Sequence, residues 1–277
     1  GLIQSWELAE KLWYEIMYNE LKIDPVNESI LTTDSVFNNK QSREKTLDIF
    51  FDNFRVTSFL ISPQSILSLY STGRTSGLIT DIGDTYCHSI AVLDGYSIKQ
   101  TATKVDFGGR ELTDFCVRLM RQENHKYDHI VELNVPKDIK EKMCYLSMDY
   151  LSDIKVFMSR NDKNEEYELP DGQKFSLNDL LIRVPEVLFQ PSLMSMDSSG
   201  IHKMVQTSIL KADSDIRPEL LQNICLVGGS SQFNNLDCRL QQEICAQETK
   251  NVKVRVVAHL DRKYASWTGG SVLSSLS

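Results

Sequence analysis

Between Leu78 and Leu93 two apolar runs flank a polar turn, LITDIGDTY followed by CHSIAVL. The pattern predicts a hairpin, with the second strand over 86–93 and the turn at Ile82 to Thr85. Just upstream, Pro63 opens a helix with Gln64 in its first turn. Leu67 and Tyr70 fall near one face, and Gly73 is a natural stop. At the start of the chain, Ser5 caps a helix reaching Leu21. Leu8, Leu12, Ile16 and Met17 form its apolar stripe, and Glu7 suits the positive N-terminal dipole. A short strand follows at Ser29 to Thr32, then the polar stretch NNKQSREK. The next helix carries Leu47, Phe50, Phe51 and Phe54 toward a core, and Thr57 to Ile61 reads as a buried strand.

The second half continues the alternation. After VDFGGRELTDF a helix turns Leu112, Phe115, Leu119 and Met120 inward. Pro136 opens another helix, which carries Lys140 and Glu141. Residues 152–166 are charged and weakly patterned, an exposed excursion. YELPDGQKF reads as a hairpin turning at Pro170-Asp171-Gly172. PEVLFQPSLMSMDSSG is too broken for a long helix and reads as a packed loop. Ile224 to Val227 is a buried strand running into Gly228-Gly229-Ser230-Ser231. Val252 to Val257 is the last strand, and Ser266 to Leu276 a Gly-containing amphipathic segment. Strands alternating with helices indicate an α/β layer architecture. There is no internal repeat and no low-complexity linker.

Composition narrows this picture only at its margins. The chain has 277 residues, 41% hydrophobic and 25% charged, enough for one large or two smaller domains. No apolar run reaches the roughly eighteen residues of a membrane span. No basic-then-apolar leader precedes Trp6, so no secretory signal is expected, and Gly1 in place of Met points to a truncated N-terminus. A net charge of −8 argues against bulk nucleic-acid binding, which needs a basic face. The cysteines form no C-x-x-C pair and have apolar neighbours, so they read as reduced core residues of a cytosolic or nuclear protein. His125 and His129 stand four apart, but with no third ligand nearby they read as a solvated pair.

Two stretches carry candidate chemistry. In D-I-G-D, Gly83 lets backbone approach a ligand, and successive N–H groups of such a turn can face an anion. Asp81 and Asp84 offer the hard oxygens that magnesium takes, through its waters. Asp and Gly also belong in any turn, so the motif alone is weak. A strand followed by Gly-Gly-Ser-Ser can likewise present N–H groups to phosphate or sugar. Lys140 has a bland alternative, a solvated helix face.

Seven stretches together carry a resemblance: GLIQSWELAEKLWYEIMYNEL, SLYSTGRTSGLITDIGD, DIKEKMCYLSMD, YELPDGQ, FQPSLMSMDSSGIH, LVGGSSQF and DRKYASWTGGSVLSSLS. In this order, and without evident insertions, the chain resembles actin over its whole length. The resemblance implies the ribonuclease H-like, two-domain ATPase fold shared with hexokinase-type sugar kinases and heat-shock chaperones, incomplete at the N-terminus. It places residues 1–71 and 265–277 in a partial first subdomain, 72–107 and 197–264 in a third, and 108–196 in a fourth, with the second absent. The chain would cross between domains near Tyr70 and Tyr264. The implied cofactor is ATP or ADP with magnesium, held by Gly83, Asp84, Gly109, Lys140, Glu141, Gly229, Phe233 and Lys263. Asp81 would hold the metal through water, and Gln64 and His88 would order the attacking water beside it. Tyr70, Gly73, Thr75, Gly95, Leu273 and Leu276 match the apolar groove through which actin meets its partners. Leu193, Met194 and Met196 match the plug between filament strands.

The departures imply weakened chemistry. The family's first phosphate loop and its lysine would lie before Gly1. Thr85 stands where the family has glycine, and it would cost about 1–2 kcal/mol were φ positive there. Tyr86 would crowd the phosphates. The expectation is an actin-like cytoskeletal scaffold with weak or lost hydrolysis, binding actin or actin-binding proteins in the cytoplasm. The alternatives are an active ATPase filament subunit and an actin-related subunit of a nuclear chromatin-remodelling complex.

Overall fold

Residues 2–123, 134–159, 166–168, 172, 174–177, 179–247 and 252–276 are described by a computed structural model. His125, His129 and the Pro170-Asp171 part of the second hairpin turn lie outside them. The chain divides into two units, Gly1–Thr75 with Ser266–Ser277, and Ser76–Ala265.

In the first unit, the Ser5 hydroxyl accepts the Leu8 amide and opens α1 (Trp6–Tyr14), which widens into a π-helical segment at Glu15–Glu20. The inward face differs from the leucine stripe of the sequence. Leu8, Leu12 and Ile16 are exposed, whereas Trp6, Trp13 and Met17 pack with Ile49, Phe50, Phe54 and Val56. The indoles bury more apolar area than the leucines, and both faces have helical spacing. Asn39 caps α2 (Lys40–Asp48), which also ends in a π-helical segment, Ile49–Asn53. Phe50 stacks on Phe59 with centroids 4.2 Å apart, while Phe51, expected in the core, is exposed. β1 (Ser29–Asp34) and β2 (Ser58–Pro63) pair in parallel from Ser29↔Ser58 to Asp34↔Pro63. Burial alternates along β2 and Leu60 is exposed, so this is a half-covered strand and not the buried one expected.

Pro63 then leads into α3 (Gln64–Tyr70). Gly73 ends it with φ +71°, its N–H donating to Tyr70 O at 2.9 Å. The C-terminal helix, Ala265–Ser274, lies directly against α3. A Cβ on Gly269 would overlap the Leu67 carbonyl, and the Ser68 and Ser266 hydroxyls hydrogen-bond at 2.8 Å.

The second unit is built on a mixed sheet. β3 (Gly77–Ile82) and β4 (Cys87–Leu93) form the antiparallel hairpin, closed by Ile82↔Cys87, so its loop is Gly83–Tyr86, one residue beyond the expected turn. β5 (Tyr96–Ser97) and β6 (Thr103–Val105) both pair with β4. α4 (Gly109–Glu123) buries Leu112, Phe115, Leu119 and Met120 as its spacing predicts. α5 (Asn134–Lys142) follows, and then α6 (Tyr150–Ser159). That helix corrects the expected excursion: its first part is regular structure. β7 (Glu166–Glu168) and β8 (Lys174–Ser176) pair antiparallel as the second hairpin.

α7 (Leu180–Glu186) leads to a 3-10 turn at Pro191–Met194. Met194 is buried, and Leu193 and Met196 pack against the unit's own core. α8 (Ile201–Leu210) and α9 (Arg217–Gln222) precede β9 (Ile224–Val227), α10 (Leu236–Gln247) and β10 (Val256–Ala258). β10 is shorter than the strand read from the sequence. Four cysteines are buried, but Cys238 and Cys245, on α10, are exposed, contrary to expectation. No helix among the described residues is long and apolar enough to cross a membrane.

Candidate functional site

β3, β9 and β10 run parallel, with Asp81 level with Val227 and Ala258 level with Leu226. Their following loops therefore emerge at one end of the sheet, where open α/β sheets bind ligands. Side chains stitch these loops together. Ser230 Oγ donates to Gly83 O at 2.9 Å, and Gln232 Nε2 donates to Leu260 O at 3.1 Å. The Arg262 guanidinium donates to Ser231 O and to His259 O, and Gly228 N–H donates to Arg262 O.

The hairpin loop also docks α4. Gly109 N–H donates to Gly83 O and Arg110 N–H to Asp84 O, so the turn supplies acceptors for the helix's first amides. Two glycines are required by close approach. A Cβ on Gly109 would overlap Ser230 Oγ, and one on Gly228 (φ +93°) would overlap the Asp81 carboxylate.

Between these loops and α5 lies a cavity of about 650 Å³, lined by Asp84, Lys137, Lys140, Glu141, Gly229, Ser230, Gln232, Phe233, Lys263 and Tyr264. Six of the eight residues assigned to the cofactor thus share one wall system. The other two, Gly83 and Gly109, sit behind it in the hydrogen bonds just described. Lys137, Ser230, Gln232 and Tyr264 were not picked out as site residues. Each adjoins a chosen residue in sequence or one helical turn away, which is the signal that could have found them.

Lys140 is only 5% exposed, so it is no solvated helix residue. Its ammonium donates to Gly109 O at 2.8 Å and to Thr113 Oγ1 at 2.9 Å. Burial lowers its pKa, and Glu141 and Asp84 oppose that shift. Asp84 is exposed and pairs with Arg110 at 3.4 Å.

Asp81 and His88 are cross-strand partners in the β3–β4 ladder. Burial pushes the Asp81 carboxyl above its usual range, with His88 opposing. Burial lowers His88, with Asp81 opposing. The Tyr86 ring stands 5.6 Å from the imidazole. Thr85 is absent from the residues with positive φ, so the strain anticipated there does not arise. Gln64 belongs to the first unit, where it lines a separate cavity of about 570 Å³ along β1. Among the described residues no cluster of three or more His, Cys, Asp or Glu could hold a metal ion.

Of the groove residues, Tyr70 and Leu273 are half-buried, while Gly73, Thr75 and Leu276 are exposed, all in the first unit. Gly95 lies in the second, in the β4–β5 turn, where Asp94 and Gly95 both have positive φ, as a type I′ hairpin requires.

The cavity's size falls in the range of small-molecule sites. Its three lysines suit an anion, its two aromatic rings suit a planar group, and the glycine approaches leave room for backbone contact. These residues fit a nucleotide. Asp81 is half-buried at this strand end, and a divalent ion held there through water would also draw ligands from the nucleotide's own phosphates. The mixed α/β content agrees with the actin-like fold, the family model described as Actin matches residues 1–277, and the chain belongs to the actin family.

Proposed function

We propose that this actin-family chain is a cytoskeletal scaffold whose second unit binds ATP or ADP and hydrolyses ATP slowly. The observation that carries the binding half is Lys140, a buried cation at a cavity wall shared with Phe233, Tyr264 and Glu141. In this reading Lys140, Lys263 and Phe233 hold the nucleoside end and Glu141 accepts from its sugar hydroxyls. The Gly229 and Ser230 amides, with the Gly83–Asp84 turn, face the phosphates. Magnesium, when bound with the nucleotide, would neutralise phosphate charge through its waters, with Asp81 as the carboxylate at that strand end.

Slow hydrolysis is supported by Tyr86. Its ring stands 5.6 Å from the imidazole that would have to order an attacking water, and burial lowers the pKa of that imidazole. The active-ATPase reading rests on the same Asp81–His88 pair. For partners, the exposed Trp267, Val272 and Leu276 at the C-terminus, with the half-buried Tyr70 of α3, offer an apolar surface suited to amphipathic helices of actin-binding proteins.

Titration of a fluorescent ATP analogue against wild type and Lys140→Met, with a phosphate-release assay alongside, tests this. Wild type should bind, and the variant should bind about tenfold more weakly, one charge-assisted contact being lost. Failure of wild type to bind at millimolar nucleotide would end the reading. Rapid phosphate release would replace the scaffold with an active ATPase.

A further inference from the structure

We infer that Ser230 is a positioning residue whose hydroxyl holds the β3–β4 turn in the form that receives phosphate, an inference that rests on the nucleotide reading above. Gly83 O is doubly held. It accepts the Gly109 N–H and the Ser230 hydroxyl, each at 2.9 Å. The next carbonyl, Asp84 O, accepts the Arg110 N–H at 2.8 Å. In a planar trans peptide the N–H points opposite to the C=O. With both carbonyls held against the start of α4, the Asp84 and Thr85 amides are turned away from it. Neither amide has an acceptor among the described residues, and Asp84 lines the cavity. Two successive turn amides left open in this way can receive an anion.

Of the two donors on Gly83 O, the hydroxyl is the one that a side chain supplies. It reaches across from the Gly229–Gln232 turn after β9, 147 residues away in sequence. The fit around it is close. A Cβ on Gly109 would overlap Ser230 Oγ, and one on Gly108 would run into Asp84 O and Gly83 O. Glycines thus bring α4 onto the turn, and Ser230 ties the turn to the neighbouring loop. The Asp84 carboxylate, which would oppose a phosphate, is paired with Arg110, while Lys137, Lys140 and Lys263 line the same cavity. Without the hydroxyl, the Gly83–Asp84 peptide keeps one of its two anchors and rotates more freely, which takes the Asp84 N–H out of register with a phosphate. The loss falls on phosphate and spares the nucleoside end, which Lys140 holds from α5.

Calorimetric titration of the full chain with ATP, inorganic tripolyphosphate and adenosine, on wild type, Ser230→Ala and Ser230→Thr, tests this. Wild type is expected to bind ATP more tightly than adenosine. Ser230→Ala should weaken ATP and tripolyphosphate by about tenfold and leave adenosine unchanged, since a donor to a charged group is misplaced. Ser230→Thr keeps the hydroxyl and should restore both. Equal weakening of ATP and adenosine by Ser230→Ala would show that the residue only holds the loops together, and would overturn the inference. No weakening of either, or a threonine variant as weak as the alanine one, would overturn it too. Equal affinities of wild type for ATP and adenosine would overturn it while leaving nucleoside binding intact. Binding of none of the three by wild type would remove the nucleotide reading and this inference with it.

Discussion

Arg239 and Glu186 face each other inside the second unit in a doubly hydrogen-bonded ion pair, Nη1 to Oε2 and Nη2 to Oε1, each 3.1 Å. Glu186 is fully buried, and the guanidinium also donates to Ser147 O and Glu243 and lies 4.9 Å over the Phe189 ring. Gln190 Nε2 donates to Glu186 as well. Four of the five guanidinium N–H groups are engaged, which ties α7 to α10. Arg239→Met leaves a buried carboxylate with only an amide partner and should cost about 3–5 kcal/mol. The double variant Glu186→Leu, Arg239→Met should recover most of that in urea denaturation. A double variant as unstable as the single would mean that packing, not charge, is at stake.

Asp81 sets a pH-dependent penalty. Because burial raises its carboxyl in the folded chain, the unfolded chain ionises first as pH rises through about 3.9, and folded stability falls through that window. The penalty grows with pH until the folded carboxyl ionises as well. Asp81→Asn removes it, so the variant should melt a few degrees above wild type at pH 7, with the gain shrinking toward pH 3. His88 has the opposite sign. Its lowered pKa gives stability that is present above about 6.5 and lost as pH falls below it. The acid-side loss should steepen in the variant, where His88 no longer has the Asp81 charge beside it. Thermal scans from pH 3 to 8 decide both, and a gain for Asp81→Asn that does not depend on pH would refute the assignment.

What was legible in the sequence was whatever a single element determines. Leu112, Phe115, Leu119 and Met120 point inward because one helix has one apolar stripe, and Gly73 stops α3 because only the left-handed region closes that turn. α1 was misread because it carries two helical stripes, and spacing cannot say which one meets Phe50. Phe51 and the exposed cysteines of α10 failed for a similar reason: residue type says buried, and the position on the element says otherwise. Lys140 looked like a surface lysine by type. Its burial comes with bonds to Gly109 and Thr113, supplied by another helix 31 and 27 residues away.

The contact between α3 and the C-terminal helix gives a sharp contrast between adjacent glycines. At Gly269 a methyl group would run into the Leu67 carbonyl, backbone that cannot swing aside. At Gly270 it would meet Leu31 at 3.4 Å and Leu67 at 3.8 Å, ordinary side-chain contact. Gly269→Ala should therefore destabilise the protein by about 1–3 kcal/mol, as overpacking does. Gly270→Ala should be neutral or slightly stabilising, since alanine is the better helix former. Equal denaturation midpoints for the two variants would contradict the close helix approach.

The same helix pair carries the proposed partner surface, and Leu276 is its most informative residue. Leu276 is 70% exposed, so nothing in the folded chain depends on its side chain. Substituting it should leave stability within about 0.5 kcal/mol. A partner helix laid across Tyr70 and Leu273 would bury it, and burying a leucine typically contributes about 1.5–3 kcal/mol. Leu276→Asp replaces that gain with a carboxylate that must be buried without a counter-ion or kept wet by leaving the surface open. Affinity for amphipathic helical peptides of actin-binding proteins should then fall by roughly tenfold or more, while the melting temperature stays put. Fluorescence anisotropy on wild type, Leu276→Asp and Leu210→Asp separates this from a general loss of apolar surface, because Leu210 is also exposed but lies on α8 of the other unit. Peptide binding that tolerates Leu276→Asp, or that falls equally with Leu210→Asp, would place the partner site elsewhere.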